Sequence, residues 1–335
     1  MSKTIICVGH TAWDRIYTVD AVATPPAKIR AASFLEIGGG MAANAAVAIA
    51  RLGGTAQFWG PAGDDSIAER MHQDLARCGV DDTHMRRISG HTSSHSAILV
   101  DARGERLIVG LRSSVLEQGV DWLPLEKIAA ADALLADVRW PQGARVALAA
   151  ARRAGVPTVL DGDTAAREVL HDLAGLSDYC VFSEPGFAAF IADAAAPVAV
   201  SGAGRAAAST AAPAALPDYA FCPTGAERTR RGLAQALALG ARFAAVTRGE
   251  RGCEWLSGAQ PDTLGFTPAF KTMPVDTTGA GDTFHGAFAL LLAEGRLLGE
   301  ILRFASAAAA IKVMRTGARS MPTRDEVERF LAAAV

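Results

Sequence analysis

The stretch Asp276-Thr277-Thr278-Gly279-Ala280-Gly281-Asp282-Thr283-Phe284 limits what this chain can fold into more than any other. Gly279, Ala280 and Gly281 lead into apolar positions Phe284, Ala287, Phe288, Leu291 and Leu292 at helical spacing, and Gly295 closes the run. The pattern predicts a loop entering a buried helix. A helix start carries backbone N–H groups with no intrahelical acceptor and the positive end of the macrodipole, and glycines let a bulky anion approach that backbone. Asp282 is the odd residue in such a turn. Beside a phosphate it would face a like charge, a placement that suits a group accepting a proton from an attacking hydroxyl. The alternative is a carboxylate favoured by the helix dipole, with the glycines forming an ordinary tight turn. For Gly-x-Gly-Asp alone the second reading is the better one, so the weight falls on the rest of the chain.

At 335 residues, half of them hydrophobic, the chain can bury a large core as one α/β domain or two smaller ones. A formal net charge of −2 gives no reason to expect nucleic acid or an anionic membrane as partner. The apolar run Ile5 to Gly9 is too short for a signal-peptide core, and no stretch approaches the roughly 20 apolar residues of a membrane span. The five cysteines, Cys7, Cys78, Cys180, Cys222 and Cys253, are dispersed and lack metal-ligand spacing, which reads as buried free thiols in a reducing cytoplasm.

Thr4 to Val8 reads as a central parallel strand ending at Gly9. After Asp14 the periodicity changes, and residues to Ile37 together with Ser93 to Leu111, a hairpin about Asp101-Ala102-Arg103-Gly104, could form a small separate sheet. Gly38-Gly39-Gly40 opens a second glycine-to-helix junction, running through Asn44 to Arg51; flexible turn chemistry explains it as well as a ligand does. Strands follow at Ala133 to Asp137, Val156 to Leu160, Tyr179 to Phe182 and Phe243 to Thr247, with helices between them, the alternation of a parallel α/β sheet. Residues 192–231, rich in Ala, Pro, Ser and Gly, read as a surface insertion with at most one helical turn. Helices are expected at Arg303 to Met314 and from Thr323, where Thr323 and Glu326 fit a capping box.

Taken together, Gly39-Gly40 with Asn44, Leu52-Gly53, Gly60-Pro61-Ala62-Gly63-Asp64-Asp65, Gly79-Val80, Thr247-Arg248-Gly249 and Asp276 to Asp282 resemble, in order and spacing, the PfkB (ribokinase-like) carbohydrate kinases. The likeness spans nearly the whole chain. It implies a single ribokinase-like α/β domain over residues 1–335, with a central, mostly parallel sheet flanked by helices. A small β-sheet lid, about 14–37 and 93–111, would close over a sugar and support a homodimer. By the same resemblance Asp282 is the catalytic base, and Gly279, Ala280 and Gly281 form the anion hole. Asp14, Gly39, Gly40 and Asn44 bind the sugar, while Thr247, Gly249, Gly252 and the helix around Ala309 bind ATP. Asp276, Thr278, Gly317 and Ser320 match a monovalent-cation (K+) loop. The family's Asn-x-x-Glu, which helps place Mg2+ through water, is replaced by Ser183-Glu184-Pro185-Gly186, leaving Glu184 as the candidate.

Within the family, Trp13 to Tyr17, Glu36 to Gly40, Leu135 to Trp140, Val159 to Asp163, Phe182 to Gly186 and Asp276 to Gly286 resemble a branch that phosphorylates 6-deoxy-6-sulfofructose. Residues matching Lys28 and Arg139 hold the sulfonate there, whereas Gly110 and Asn44 depart from that branch. Arg139 reads equally as a substrate contact or as an ion-pair partner of Asp137 or a solvated side chain. His285 is expected to pack behind Asp282, and His10 is ambiguous. Two further readings stay open: a kinase of a neutral sugar, such as a fructokinase or ribokinase, and a silent sugar or nucleotide sensor. The altered magnesium motif motivates the latter.

Overall fold

In the first strand, β1 (Thr4–Val8), Ile5 and Cys7 enter one hydrophobic cluster and Ile6 and Val8 another. A strand apolar on both faces must lie inside a sheet that is covered on both sides. The computed structural model describes residues 2–22, 28–101, 106–192 and 223–334, and there the chain forms such a layered α/β molecule. Along the chain come β2 (Ala12–Thr18), β3 (Ser33–Gly39), α1 (Met41–Arg51), β4 (Thr55–Gly63), α2 (Ser66–Arg77), β5 (Asp81–Ile88), β6 (His95–Val100), β7 (Arg106–Leu111), β8 (Ala133–Asp137) and α3 (Pro141–Ala154). Then follow β9 (Thr158–Gly162), α4 (Arg167–Ala174), β10 (Tyr179–Ser183), α5 (Glu184–Phe190), α6 (Pro223–Ala238), β11 (Phe243–Thr247), β12 (Cys253–Ser257), β13 (Gln260–Thr267), α7 (Ala280–Ala293), α8 (Leu298–Val313) and α9 (Arg324–Ala333).

The nine-stranded sheet has the order β13-β12-β11-β10-β9-β8-β1-β4-β5, parallel from β11 to β5, with β12 and β13 antiparallel at one edge. Helices α1, α7 and α8 cover one face, and α3, α4, α5 and α6 cover the other. The separate four-stranded sheet, β3-β2-β6-β7, is built from the two segments expected to form a lid. The carboxyl ends of β8, β9, β10 and β11 bring Asp137, Asp161, Ser183 and Thr247 to the edge of the sheet where α/β folds place ligands.

Three expectations change. Residues 223–231 belong to a 16-residue helix, α6, and not to an irregular insertion; Thr229, Leu233 and Ala236 bury one face of it, so packing compensates for weak intrinsic periodicity. The rest of that expected insertion, 193–222, and the hairpin tip 102–105 lie outside the described residues. Helix α8 starts at Leu298, a turn and more before Arg303, because Glu300 accepts the Leu297 N–H at 3.2 Å. Strand β13 was not expected, since its residues are mostly exposed and carry little alternation. Among the described residues Cys7, Cys78, Cys180 and Cys253 are free thiols, and no helix is long and apolar enough to cross a membrane. Cys222 lies outside the described residues.

Candidate active site

Helix α7 begins at Gly279, whose φ of 79° belongs to the left-handed region, and a Cβ there would lie 2.5 Å from the Ala318 carbonyl oxygen. Only glycine fits such a turn without strain. The Thr283 amide and hydroxyl both donate to Gly279 O, at 2.9 and 2.7 Å, locking the first turn. Asp282 projects from that turn. Its Oδ2 accepts from Asn44 Nδ2 at 2.7 Å, a bond across 238 residues of sequence. Burial, then the charge of Asp161, pushes the Asp282 carboxyl up to about 8, against the opposing effects of the Asn44 bond and His285. Of the expected anion-hole amides, Ala280 N–H donates to Thr277 O at 3.2 Å, whereas the space beside Gly281 is open.

Behind the half-buried Asp282 lies a fully buried carboxyl. Asp161, at the end of β9, has no hydrogen-bond partner for Oδ2 among the described residues, and burial followed by repulsion from Asp163 and Asp137 holds its pKa well above the usual carboxylate range. His285, 2% exposed, sits 3.4 Å from Asp161 through Nδ1, which is also 2.7 Å from Gly281 O; its Nε2 is 3.0 Å from Val181 O. The imidazole thus ties the first turn of α7 to β10. The packing expectation for His285 fits this burial.

On the side of the small sheet, Asp14 (β2) accepts a short hydrogen bond from Ser96 (β6), and a Cβ on Gly39 would come within 2.5 Å of its Oδ2. Burial raises the Asp14 pKa, partly offset by Ser96 and Arg319. Gly40, with φ 93°, begins α1; a Cβ there would meet His10 O at 2.4 Å. Asn44, 4% exposed, turns its amide to Asp282 and its Oδ1 to Arg319 Nε at 3.2 Å. Arg319 also donates to Gly39 O at 3.2 Å and pairs with Asp74. Asp14, Gly39, Gly40, Asn44 and Asp282 are therefore linked contact by contact. Sequence reasoning missed Arg319; the signal was a lone arginine among the small residues Gly317, Ala318 and Ser320.

Of the readings open for Arg139, the side-chain pair with Asp137 is not made. The Arg139 Nη2 meets Asp163 Oδ2 at 2.8 Å, and only its backbone N–H reaches Asp137, whose buried carboxylate also takes the His10 and Ala42 amides. Arg112 lies alongside, donating to Arg139 O at 3.4 Å. Burial, then the charges of Arg139 and Arg112, pulls the His10 imidazole down to about 4, and His10 Nε2 has no partner among the described residues. Lys28 stays exposed in the connection leading to β3.

Towards β11, Thr247 Oγ1 donates to Phe182 O at 3.3 Å. Gly249 and Gly252 have positive φ, and a Cβ on Gly252 would lie 2.4 Å from Thr267 O. Ala309 is half-buried on α8. Glu184 does not fit the magnesium-placing role: its Oε1 accepts from Arg248 at 2.7 Å, and Arg251 bonds both carboxylate oxygens, at 2.7 and 2.5 Å. A carboxylate clamped by two guanidiniums has little capacity left to orient metal-bound water. In the expected cation loop, Asp276 accepts from the Thr278 and Gly317 amides, each at 2.9 Å, and Ser320 Oγ donates to Gly317 O at 2.8 Å. Burial raises the Asp276 pKa, but those amides and the Lys312 charge outweigh it and hold the carboxyl below its ordinary value.

A model of the pfkB family carbohydrate kinases matches residues 2–324. The ribokinase of Haemophilus influenzae is 32% identical over 340 aligned positions, covering 100% of each chain. Among solved structures, a ribokinase-type protein from Agrobacterium tumefaciens superposes with a TM-score of 0.85 at 35% identity, over 100% of this chain and 99% of that one. The Arabidopsis thaliana ribokinase complexed with ribose and ATP gives a TM-score of 0.78 at 24% identity, over 99% of each chain.

Proposed function

This chain belongs to the pfkB family of carbohydrate kinases, and from that premise we propose that it transfers the γ-phosphoryl group of ATP to a sugar hydroxyl with Asp282 as general base. One observation carries this reading: a half-buried carboxyl with a raised proton affinity stands in the first turn of α7, beside an open glycine, and is held by Asn44 at 2.7 Å. In the proposed step the acceptor O–H gives its proton to Asp282 as its oxygen bonds to the γ-phosphorus. The bond from that phosphorus to the β,γ-bridging oxygen breaks, and ADP leaves with the electron pair. Amides of the α7 N-terminus face the transferring group, and Asn44 aims the base. No part of this step is assigned to Mg2+, because Glu184 is held by arginines.

For the acceptor we favour a ketose bearing an anionic group, such as 6-deoxy-6-sulfofructose. The support is Arg139 and Arg112 gathered beside His10. A neutral sugar is the second reading, favoured by the Asp163 carboxylate already on Arg139 and by the ribokinase relatives, one of which was solved with ribose and ATP. Exposed Phe34, Leu35, Leu107, Ile108 and Val109 on the small sheet support a homodimer through it. Coupled ADP release over ribose, fructose, fructose 6-phosphate, tagatose 6-phosphate and sulfofructose tests the acceptor. Arg139→Ala should raise KM chiefly for an anionic acceptor, by about tenfold or more. Equal turnover of neutral and anionic sugars rejects the anionic reading, and saturable binding with no turnover on any sugar would mark a sensor.

A further inference from the structure

The C-terminal end of α8 is a concentration of negative potential. The last carbonyls of a helix have no intrahelical donors and carry the negative end of its dipole. The amides of Val275 and Asp276 both donate to Val313 O, at 2.7 and 3.0 Å, which lays the loop 275–278 across that terminus and adds the Asp276 carboxylate. Into this place the chain sends Lys312, 0% exposed, from the last turn of α8 itself. Its Nζ donates to Asp276 O at 2.9 Å and to Arg315 O at 3.3 Å. A buried ammonium is tolerated only where such acceptors and counter-charges surround it.

The family resemblance calls for a dissociable monovalent cation in this same loop. The residues present do not fit one: the Asp276 and Arg315 carbonyls already receive the full positive charge of Lys312, Gly317 O already accepts the Ser320 hydroxyl, and the Asp276 carboxylate is held by the Thr278 and Gly317 amides. A potassium ion beside these atoms would be repelled by the ammonium in a place water does not screen. We infer that the Lys312 ammonium stands in for the monovalent cation, joining the loops 276–278 and 315–320 and supporting the α7 turn without added K+. The connection to the transfer site is steric, because Ala318 O lies where a Cβ of Gly279 would go, at 2.5 Å. Lys312 is thus a positioning residue that acts through this loop.

The activity arm of the test rests on the kinase reading, whereas the melting arm does not. Phosphorylation of the best sugar is measured in tetramethylammonium buffer and again with KCl or NH4Cl, and thermal unfolding is followed in the same buffers. The natural chain should change less than about twofold in turnover and show no K+-specific rise in melting temperature. Lys312→Ala should lose about tenfold in kcat without K+, the scale of one lost charge-assisted hydrogen bond. Potassium or ammonium should restore most of that loss and raise the variant's melting temperature. Lys312→Met, which keeps the buried volume, serves the melting arm if the alanine variant does not fold. Potassium activation of the natural chain by more than about fivefold overturns the inference, as does a folded variant whose melting and turnover ignore K+. A natural chain with no turnover on any sugar defeats the kinase reading instead, and the melting comparison still decides the role of Lys312.

Discussion

Two helices in this molecule start from glycine turns with positive φ, α1 after Gly40 and α7 after Gly279, yet their N-termini meet different partners. The first turn of α1 is satisfied from within. Ala42 N–H donates to the buried Asp137 carboxylate at 3.0 Å, Ala43 N–H to His10 O at 3.4 Å and Asn44 N–H to Gly40 O at 2.8 Å. In the first turn of α7, Ala280 N–H reaches Thr277 O, but the space beside Gly281 is open and the local carboxyl, Asp282, takes its hydrogen bond from a side chain of the other helix. The same pattern therefore yields one structural junction and one chemical one. What separates them is whether the fold supplies its own anion.

The largest effect is expected where the chemical junction is broken. Asp282→Asn should bind ATP and sugar with affinities near those of the natural chain, measured by calorimetry, and lose about a thousandfold in kcat; turnover within a few fold of normal would remove Asp282 from the base role. Its protonation gives the same comparison a pH signature. The folded-state pKa lies above the unfolded value, so the folded protein holds the extra proton between about pH 4 and about pH 8. This contribution to stability is complete below the unfolded pKa and is lost as pH rises through about 8. Activity runs the opposite way: kcat/KM for the free enzyme should climb about tenfold per pH unit on the acid side of that limb. Asp282→Asn should flatten the corresponding slope of stability against pH, measured by denaturant unfolding.

Breaking the structural junction should cost stability and little chemistry. Asp137→Ala strands the amides of His10, Ala42 and Arg139, all of which donate to that one buried carboxylate. One buried and two partly buried donors left without their acceptor predict a loss of about 3 kcal/mol in chemical denaturation. The residual folded protein should keep kcat within a few fold of normal. A drop in kcat as large as that of Asp282→Asn would erase the distinction between the two junctions.

What the sequence made legible follows from the same physics. The glycine turns and Asp282 stood out because small residues before a helical period are a local signal, and the central strands because apolar runs such as Thr4 to Val8 need no partner to be recognised. Helix α6 and strand β13 were not legible, since one takes its stability from packing by Leu233 and Ala236 and the other is an exposed edge. Polar partnerships across the fold were the least legible. Lys312 reaches a carbonyl 36 residues away, Arg319 an amide 275 away, and Glu184 is claimed by two arginines whose approach depends on β10 and β11 lying side by side. The one local hint was a charged residue, Lys312, within the otherwise apolar run Ala307 to Val313.

The smallest predicted effect tests whether the two junctions are independent, and Asn44 says they are not. Arg319 Nε can only donate, so it fixes the oxygen of the Asn44 amide toward itself and the N–H toward Asp282. An N–H donated to a carboxylate favours the charged form, whereas a flipped amide would offer oxygen to Asp282 and favour the protonated acid. Lysine at 319 can keep a charge near Asp74 but lacks the fork that reaches Asn44 and Gly39 together. Arg319→Lys should therefore move the acid limb of kcat/KM to higher pH by a few tenths of a unit, the scale of a partly lost neutral hydrogen bond. Asp74→Asn, which weakens the same ion pair without touching Asn44, should lower the melting temperature and leave the limb in place. An unmoved limb in a well-folded Arg319→Lys protein would show that Asn44 needs no help from α1's neighbours, and that the structural junction contributes nothing to the chemical one.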